Sequence, residues 1–172
     1  MPFQHDAHIA KLRILVVEPF SQLREILRDI LQRGIGVSQV YEARTGESAM
    51  KMLHDLPCDL VIVDAGIEPM GGVELTRMIR AGEDNMDPYM PVIVMSGHAS
   101  LDEIIAARDA GANDYVAKPL SAKILALRLH ALVERPRPFI RSNNFFGPDR
   151  RRHHKLIFQG QERRIRDAGD TA

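Results

Sequence analysis

Polar side chains stand directly after short apolar runs at four separate places in this 172-residue chain. They are Glu18 after ILVV, Asp64 after LVIV, Ser96 after VIVM and Lys118 after YVA. A single aspartate in such a place is usually a turn residue, but four coincident polar residues are hard to ascribe to turns. A carboxylate, a hydroxyl and an ammonium together suit phosphoryl transfer to a carboxylate, which relies on positioning and charge neutralisation. We therefore predict Asp64 as the acceptor, Lys118 as a phosphate-binding cation and Ser96 as a hydroxyl donor to the same group.

The apolar runs also predict the elements that would position these residues. Five runs rich in β-branched residues cover residues 14–17, 37–41, 60–63, 92–95 and 115–117. Their nearly continuous apolarity is typical of strands buried on both faces, and segments of helical period lie between them. This alternation predicts an α/β fold, a doubly wound five-stranded parallel sheet of flavodoxin-like order. Ligands bind such sheets beyond the carboxyl ends of the strands, where the four polar residues would lie.

Local signals set the expected limits of the helices and loops. The first helix is expected to bury apolar residues that follow the helical period, and two glycines are expected to end it. The apolar residues are Leu23, Ile26, Leu27, Ile30 and Leu31, and the glycines are Gly34 and Gly36. Ser100 with Glu103 forms a capping-box pattern for the fourth helix of the repeat. Residues 81–91 are polar and contain two prolines, so we expect an exposed loop there.

Composition restricts the class of protein. With 45% hydrophobic residues and one cysteine, Cys58, the chain can form one core but no internal disulfide. No apolar stretch approaches the roughly 18 residues of a membrane span, and the first residues lack a signal-peptide core, so we expect a cytoplasmic protein with no membrane partner. We predict an extension over 1–12, a domain over 13–135 and a tail over 136–172.

The stretches ILVVEPF, DLVIVDAGIEPMGGVEL, PVIVMSG and AGANDYVAKP occur in an order and at spacings that resemble a known family. This is the family of receiver domains of bacterial two-component response regulators, in particular the chemotaxis receiver, and the likeness spans about residues 13 to 134. The resemblance implies phosphorylation of Asp64 by a sensor histidine kinase or a histidine phosphotransfer protein, assisted by Mg²⁺. It implies a signalling domain rather than an enzyme, with at most self-phosphorylation and self-dephosphorylation chemistry.

The resemblance also implies roles for further residues. Ser96 matches the switch hydroxyl of the family and Tyr115 its switch aromatic, although Tyr115 could equally be a core residue at a strand edge. Phosphorylation would alter the face built from the fourth helix, fifth strand and fifth helix, where a downstream protein would bind and a phosphorylation-dependent dimer could form. Glu18, Asp64 and the backbone carbonyl of Gly66 are the Mg²⁺ ligands that it implies. His98 lies where the family tunes phosphate lifetime, and a solvated loop histidine is the simpler interpretation.

One departure from the family pattern concerns the metal. Two adjacent acids usually follow the first strand, but here Glu18 is followed by Pro19. Mg²⁺ is held by few carboxylates, so the loss of one should weaken its binding.

Two hypotheses about function remain. The first hypothesis is a single-domain response regulator that signals by phosphorylation-dependent protein binding. The second is an atypical pseudo-receiver that acts as a phosphorylation-independent interaction module. A third class, a hydrolase or nucleotide-binding enzyme on the same fold, has no support, because no Gly-rich phosphate loop follows the first strand of this chain.

The tail differs in charge from the rest of the chain. Residues 1–135 carry 14 Lys/Arg against 19 Asp/Glu, whereas residues 136–172 carry nine against four. We expect a largely irregular, basic tail that solubilises the chain, and nucleic-acid binding is disfavoured because no recognised nucleic-acid fold surrounds the basic cluster at 150–155. Alternatively, its apolar residues fold back on the domain or dock to a partner. These are Phe139, Ile140, Phe145 and Phe146.

Overall fold

Five parallel strands with helices on both faces form the centre of the molecule in a computed structural model, which describes residues 7–98 and 100–151. The strands are β1 (Arg13–Val17), β2 (Gln39–Ala43), β3 (Leu60–Asp64), β4 (Val92–Ser96) and β5 (Asp114–Ala117). The helices are α1 (Ala7–Ala10), α2 (Ser21–Asp29), α3 (Gly46–Asp55), α4 (Gly72–Ala81), α5 (Leu101–Asp109) and α6 (Ala122–Glu134). A π-helical segment (Ile30–Ile35), a 3₁₀ turn (Glu83–Asn85) and two further strands, β6 (Phe139–Ser142) and β7 (Phe145–Pro148), complete the elements.

The strand order is β2-β1-β3-β4-β5, which confirms the predicted doubly wound fold. The chain reverses its direction of winding between β1 and β3, and the crevice of such a sheet lies at this switch point. Glu18 follows β1 and Asp64 ends β3, so both carboxylates lie at the switch point. The fourth and fifth helices of the predicted repeat are α5 and α6 of the structure, and β5 lies between them in the chain.

The core occupies both faces of the sheet, and this explains why the strands are almost continuously apolar. Ile14 and Val16 of β1 pack on one face with α2 and α6, and Leu15 and Val17 pack on the other face with α3, α4 and α5. All four side chains are essentially inaccessible to solvent. A one-residue shift of β1 would exchange its two buried faces, so the register of the site-bearing strand is strongly determined.

The first helix differs from its sequence prediction. Leu27 and Leu31 are buried as expected, but Ile26 is 52% exposed and Leu23 is 36% exposed. The helix continues as the π-helical segment to Ile35 and ends at Gly36, whose φ of 94° is in the left-handed region. The helix therefore presents apolar side chains to solvent as well as to the core.

The connection over residues 81–91 is only partly the exposed loop that we predicted. Its tip is exposed, but the side chains of Met86 and Met90 are buried against the core. At the amino end, Ile9 of α1 is also buried, which ties part of the predicted extension to the domain. No helix in the described ranges has the length and apolarity needed to cross a membrane.

The structure adds an element that the sequence pattern did not predict: an antiparallel hairpin formed by β6 and β7. The rings of Phe139 and Phe146 lie 5.5 Å apart, and each contacts the ring of Tyr89 in the connection before β4. The hairpin thus folds back on the domain, which was the alternative interpretation of these aromatic residues. Residues 1–6 and 152–172, including most of the basic cluster, lie outside the described residues.

Candidate functional site

Three of the four predicted polar residues meet through one ammonium group. The Nζ atom of Lys118 lies 2.6 Å from Oε2 of Glu18 and also contacts Oδ2 of Asp64. Glu18 is fully buried and Asp64 is 8% exposed. Two buried carboxylates thus share one cation, which leaves a local formal charge of −1 and an attraction for a further positive group.

The pKa of Lys118 reflects the charges of the two carboxylates beside it. Burial alone would lower the pKa of its ammonium, but hydrogen bonds and charge interactions with Asp64 and Glu18 outweigh burial and raise the pKa. Lys118 is therefore a cation at neutral pH. Because Lys118 follows β5 and its backbone N–H donates to the carbonyl of Ser96 over 2.8 Å, strand pairing fixes the base of its side chain.

The loop after β1 is held by a residue that sequence reasoning missed. Arg24 donates from Nη1 to the carbonyl oxygens of Glu18 (2.7 Å) and Pro19 (3.0 Å). The backbone N–H of Phe20 donates to Oε1 of Glu18 over 3.1 Å, so both oxygens of this carboxylate are engaged. Nothing in the spacing of Arg24 distinguishes it from any other charged residue in the first turns of an amphipathic helix.

The loop after β3 is fixed around the proposed acceptor. Oδ1 of Asp64 accepts a hydrogen bond of 2.6 Å from the backbone N–H of Gly66. The start of α4 approaches so closely that a Cβ at Gly72 would collide with the carbonyl group of Asp64. This close approach leaves no room for a side chain, so position 72 requires glycine.

Ser96 lies at the carboxyl end of β4, but its hydroxyl is engaged with its own loop. Its Oγ donates to the carbonyl of His98 (2.9 Å) and accepts from the N–H of His98 (3.0 Å). The hydroxyl of Tyr115 donates to the same carbonyl over 3.1 Å and to Oε2 of Glu103 over 3.4 Å. Burial, together with the negative charge of Glu103, raises the pKa of Tyr115, so the phenol is neutral at physiological pH.

The oxygen atoms at this site have the chemistry of Mg²⁺ ligands. Carboxylate and carbonyl oxygens are the donors that this ion prefers, and it commonly uses one or two carboxylates and completes its shell with water. Glu18 and Asp64 supply carboxylate oxygens here, and the backbone carbonyl of Gly66 is the third donor that the sequence predicts. Within the residues described, no cluster of three or more His, Cys, Asp or Glu side chains has metal-binding geometry.

Comparison with known proteins identifies the class to which this fold and site belong. A sequence model of the response regulator receiver domain matches residues 14–130, and the chain belongs to this family. The chemotaxis protein CheY of Pseudomonas aeruginosa is 36% identical over 124 residues, which cover 72% of this chain and 98% of the relative. CheY-3 of Vibrio cholerae serotype O1 is 35% identical over 124 residues, covering 72% and 93%. The predicted likeness to the chemotaxis receiver is confirmed.

Solved structures give the same result. The receiver domain of a sensor histidine kinase from Pseudomonas aeruginosa matches with a TM-score of 0.64 and 26% identity, covering 73% of this chain and 99% of that chain. That structure has a magnesium ion coordinated in its active-site cleft. The receiver domain of a signal transduction histidine kinase from Syntrophus aciditrophicus matches with a TM-score of 0.64 and 26% identity, covering 77% and 98%.

Proposed function

We propose that this chain is a response regulator in which Asp64 accepts a phosphoryl group from a sensor histidine kinase or a histidine phosphotransfer protein. The observation that carries the proposal is the shared contact of Lys118 with Asp64 and Glu18. A cation held at the acceptor can move from the carboxylates to the arriving phosphoryl oxygens without leaving the crevice. Such electrostatic positioning is the main contribution of a protein to phosphoryl transfer.

The transfer requires few steps from the protein. A carboxylate oxygen of Asp64 forms a bond to phosphorus while the bond between phosphorus and the donor histidine breaks, and the bonding electrons return to the imidazole nitrogen. The product is an acyl phosphate on Asp64. Lys118 neutralises charge on the phosphoryl oxygens, and Ser96 turns from His98 to donate a hydrogen bond to one of them.

Glu18, Asp64 and Gly66 would hold Mg²⁺, which when bound neutralises the phosphoryl oxygens. The Glu18 carboxylate is already bonded to Lys118 and to the N–H of Phe20, so the metal would share this carboxylate with the ammonium. This competition, together with Pro19, supports weaker Mg²⁺ binding than a site with two adjacent acids would have.

A protein donor is supported by an apolar groove beside the site. The groove has a volume of about 150 Å³ and lies between α2 and the segment after β5, with Leu23, Ile26, Pro119 and Lys118 among its lining residues. Ile26 is 52% exposed, an unusual position for isoleucine on a helix. A helical protein carrying the donor histidine would bury this groove and bring the histidine to Asp64.

The output would be a binding surface on α5, β5 and α6. Large apolar side chains are exposed there, among them Leu101 at 71% and Leu127 at 54%. Tyr115 lies on β5 within this face, and its hydroxyl reaches α5 through Glu103. A downstream protein, or a second phosphorylated copy, would recognise this face after Ser96 and Tyr115 rearrange.

Intact-mass measurement after incubation with acetyl phosphate or phosphoramidate tests the proposal. With Mg²⁺ we expect the mass of one added phosphoryl group, which Asp64→Asn abolishes and chelation of the metal greatly reduces. Asp59→Asn, which changes a carboxylate near the opposite end of the same strand, should leave the modification intact. An unmodified wild-type mass with both small donors, and with kinase extracts, would contradict the proposal.

A second candidate function is the pseudo-receiver that binds partners without phosphorylation, and Pro19 favours it. Calorimetric titration with Mg²⁺ of the wild type and of Pro19→Asp separates the two candidates. Heat of binding only in the variant supports the pseudo-receiver. Equal affinity of the two proteins for Mg²⁺ rejects it.

A further inference from the structure

The hairpin of β6 and β7 is attached to the domain through a buried arginine. Arg80, at the end of α4, is 6% exposed and donates to the carbonyls of Gly111 (2.9 Å) and Met90 (2.7 Å) and to Oδ1 of Asn113 (2.8 Å). Its guanidinium carbon lies 5.0 Å from the centre of the Phe139 ring. Together with the contacts of Phe139 and Phe146 to Tyr89, this fixes the position of the hairpin on the domain.

The end of β7 packs against the domain, whereas β6 is exposed beyond Phe139. In β7, Gly147 and Pro148 are buried, and a Cβ at Gly147 would collide with the Cα of Gly111 in the loop between α5 and β5. In β6, residues 140–142 are exposed. The domain therefore covers β7 at Gly147, whereas the free edge of β6 lies along its exposed residues 140–142.

The register shows which backbone groups of β6 point outward. The N–H of Asp149 donates to the carbonyl of Pro138 over 2.8 Å, so the next pair, Phe139 with Pro148, is a non-hydrogen-bonded pair of the antiparallel ladder. The identity of Pro148 agrees, because proline has no N–H to donate. By alternation, Arg141 also directs its N–H and C=O away from β7. Within the described ranges, no hydrogen bond reaches these outward groups of Phe139 or Arg141.

The surface around this edge is strongly basic. Five arginines between residues 135 and 151 are exposed, and the sole acid from 135 to 151, Asp149, is buried. The arginines are Arg135, Arg137, Arg141, Arg150 and Arg151. Arg150 is paired with Asp109 at 2.9 Å, but Arg141 lies over the ring of Phe146, 4.4 Å from its centre.

A cleft adjoins the same part of the hairpin. It has a volume of about 390 Å³ and lies between the hairpin turn and the carboxyl ends of α4 and α5. Arg77, Arg141, Asn144 and Phe145 are among its lining residues. Side chains of a segment added along β6 could enter this cleft.

We propose that β6 binds an extended, acidic segment of a partner protein, which adds as a third strand to the hairpin. The outward N–H and C=O groups supply the strand pairing, and the arginines select acidic side chains. A second copy of β6 fits poorly, because it would bring two arginine-rich edges together. A nucleic acid fits poorly because it cannot continue a backbone ladder, and the aromatic rings are already packed against one another and against arginines.

Fluorescence anisotropy with the full chain tests this surface. The probe is a fluorescein-labelled peptide of alternating Glu and Val, and its matched control has the same charge but a central proline. We expect saturable binding of the alternating peptide and at least about tenfold weaker binding of the proline peptide, which cannot pair along its length. Arg141→Ala should weaken binding by about two- to fivefold, the size of one exposed ion pair.

Arg141→Pro separates strand pairing from charge. Proline is tolerated on edge strands, and the N–H that it removes is not used within the hairpin. We expect this variant to bind about tenfold more weakly than Arg141→Ala, with an unchanged melting temperature. If Arg141→Pro melts at a lower temperature than the wild type, two other comparisons replace it. Arg141→Glu keeps the N–H and tests the charge, and the proline-containing peptide tests the strand pairing.

Several results would overturn the proposal. These are no binding by the wild type, equal binding of the two peptides, or equal affinity of Arg141→Ala and the wild type. An oligonucleotide that competes with the peptide and binds more tightly would assign the surface to nucleic acid instead. A concentration-dependent dimer that Arg141→Pro abolishes would assign it to a second copy of this chain.

Discussion

The hydroxyls of Ser96 and Tyr115 donate hydrogen bonds to one shared acceptor, the backbone carbonyl of His98, over 2.9 and 3.1 Å. Ser96 lies at the carboxyl end of β4 beside the site, whereas Tyr115 lies on the face formed with α5. The shared carbonyl therefore connects the site to the proposed output face through a single backbone group. If Ser96 turned towards a phosphoryl group, as we propose, the carbonyl would lose one donor and the loop before α5 would be free to change its conformation.

The first prediction concerns Ser96→Ala. Without the hydroxyl, the phosphoryl group loses one charge-assisted hydrogen bond, so we expect Asp64 to be phosphorylated about tenfold more slowly by acetyl phosphate. We also expect the phosphorylation-dependent change in hydrogen exchange over α5 and β5 to be largely lost. Mass spectrometry measures both quantities in the same samples.

Ser96→Thr is the matched control, because it keeps the hydroxyl on a similar backbone. It should retain most of the rate and of the exchange response. A full exchange response in Ser96→Ala would mean that the His98 carbonyl does not link the site to the output face.

The second prediction concerns pH and the amino end of β3. Arg13 and Asp59 form a salt bridge of 2.7 Å, and Asp59 also accepts from the N–H of Arg13 over 2.9 Å. The hydrogen bond from the Arg13 side chain is the main reason that the pKa of Asp59 lies below its usual value. A carboxylate with a lowered folded-state pKa stabilises the fold above its unfolded pKa of about 3.8 and loses this contribution as the pH falls through its folded pKa.

We therefore expect Asp59→Asn to lower the free energy of unfolding at neutral pH by about 0.5 to 1 kcal/mol, a modest value because both side chains are partly exposed. The difference from the wild type should shrink as the pH falls below about 3.8. Urea unfolding at a series of pH values measures it. Asp55→Asn, at the exposed end of α3, serves as the control, and a pH-independent difference for Asp59→Asn would contradict the prediction.

The sequence predicted the sheet and the placement of the site because both depend on local patterns. A strand buried on both faces contains almost no polar residues. Glu18, Asp64 and Lys118 could therefore be identified from the sequence as the polar residues that end such runs. The hairpin was not predictable in this way. Its strands have four residues each, and what stabilises them is the contact of Phe139 and Phe146 with Tyr89 and Arg80, which are distant in sequence.

Helix α2 shows a second limit of sequence analysis. Its apolar residues follow the helical period, and the period predicted that Leu23 and Ile26 would be buried together with Leu27. Periodicity detects an apolar surface but does not distinguish a face covered by the core from one available to a partner. Arg24 was missed for a related reason, since its hydrogen bonds to backbone carbonyls leave no pattern in the side-chain sequence.

The third prediction concerns the groove beside the site. Ile26→Glu places a charge where a protein donor would bury an apolar side chain, so phosphotransfer from a histidine phosphotransfer protein should slow by at least about tenfold. The rate with acetyl phosphate should stay within about twofold of the wild type, because a small donor needs no docking surface. Radiolabel transfer and intact mass measure the two rates.

Lys51→Glu, an exposed substitution on α3, is the control for a general effect of added negative charge. It should change neither rate appreciably. Equal slowing of Ile26→Glu with both donors would indicate damage to the site itself rather than loss of a docking surface.

The fourth prediction concerns Arg80, whose burial lowers the pKa of its guanidinium to about 10. Arg80→Leu would leave the carbonyls of Gly111, Met90 and Pro88 without the guanidinium donor, whereas Oδ1 of Asn113 keeps its hydrogen bond from the N–H of Val92. The cost of unsatisfied buried acceptors is about 1 to 3 kcal/mol each before relaxation. We expect a loss of about 3 to 5 kcal/mol in the free energy of unfolding, measured with urea. Hydrogen exchange over residues 139–148 should also accelerate, because the hairpin loses its anchor.

Arg77→Leu is the matched control on the same helix. Arg77 is exposed, and its one ion pair within residues 7–98 and 100–151 is with Glu74 of the preceding turn at 3.1 Å, so its replacement should cost less than about 1 kcal/mol. If Arg80→Leu were no more destabilising than Arg77→Leu, the buried network would not be what holds the hairpin. If Arg80→Leu destabilised the fold but left exchange in the hairpin unchanged relative to the sheet, the aromatic contacts with Tyr89 alone would account for its attachment.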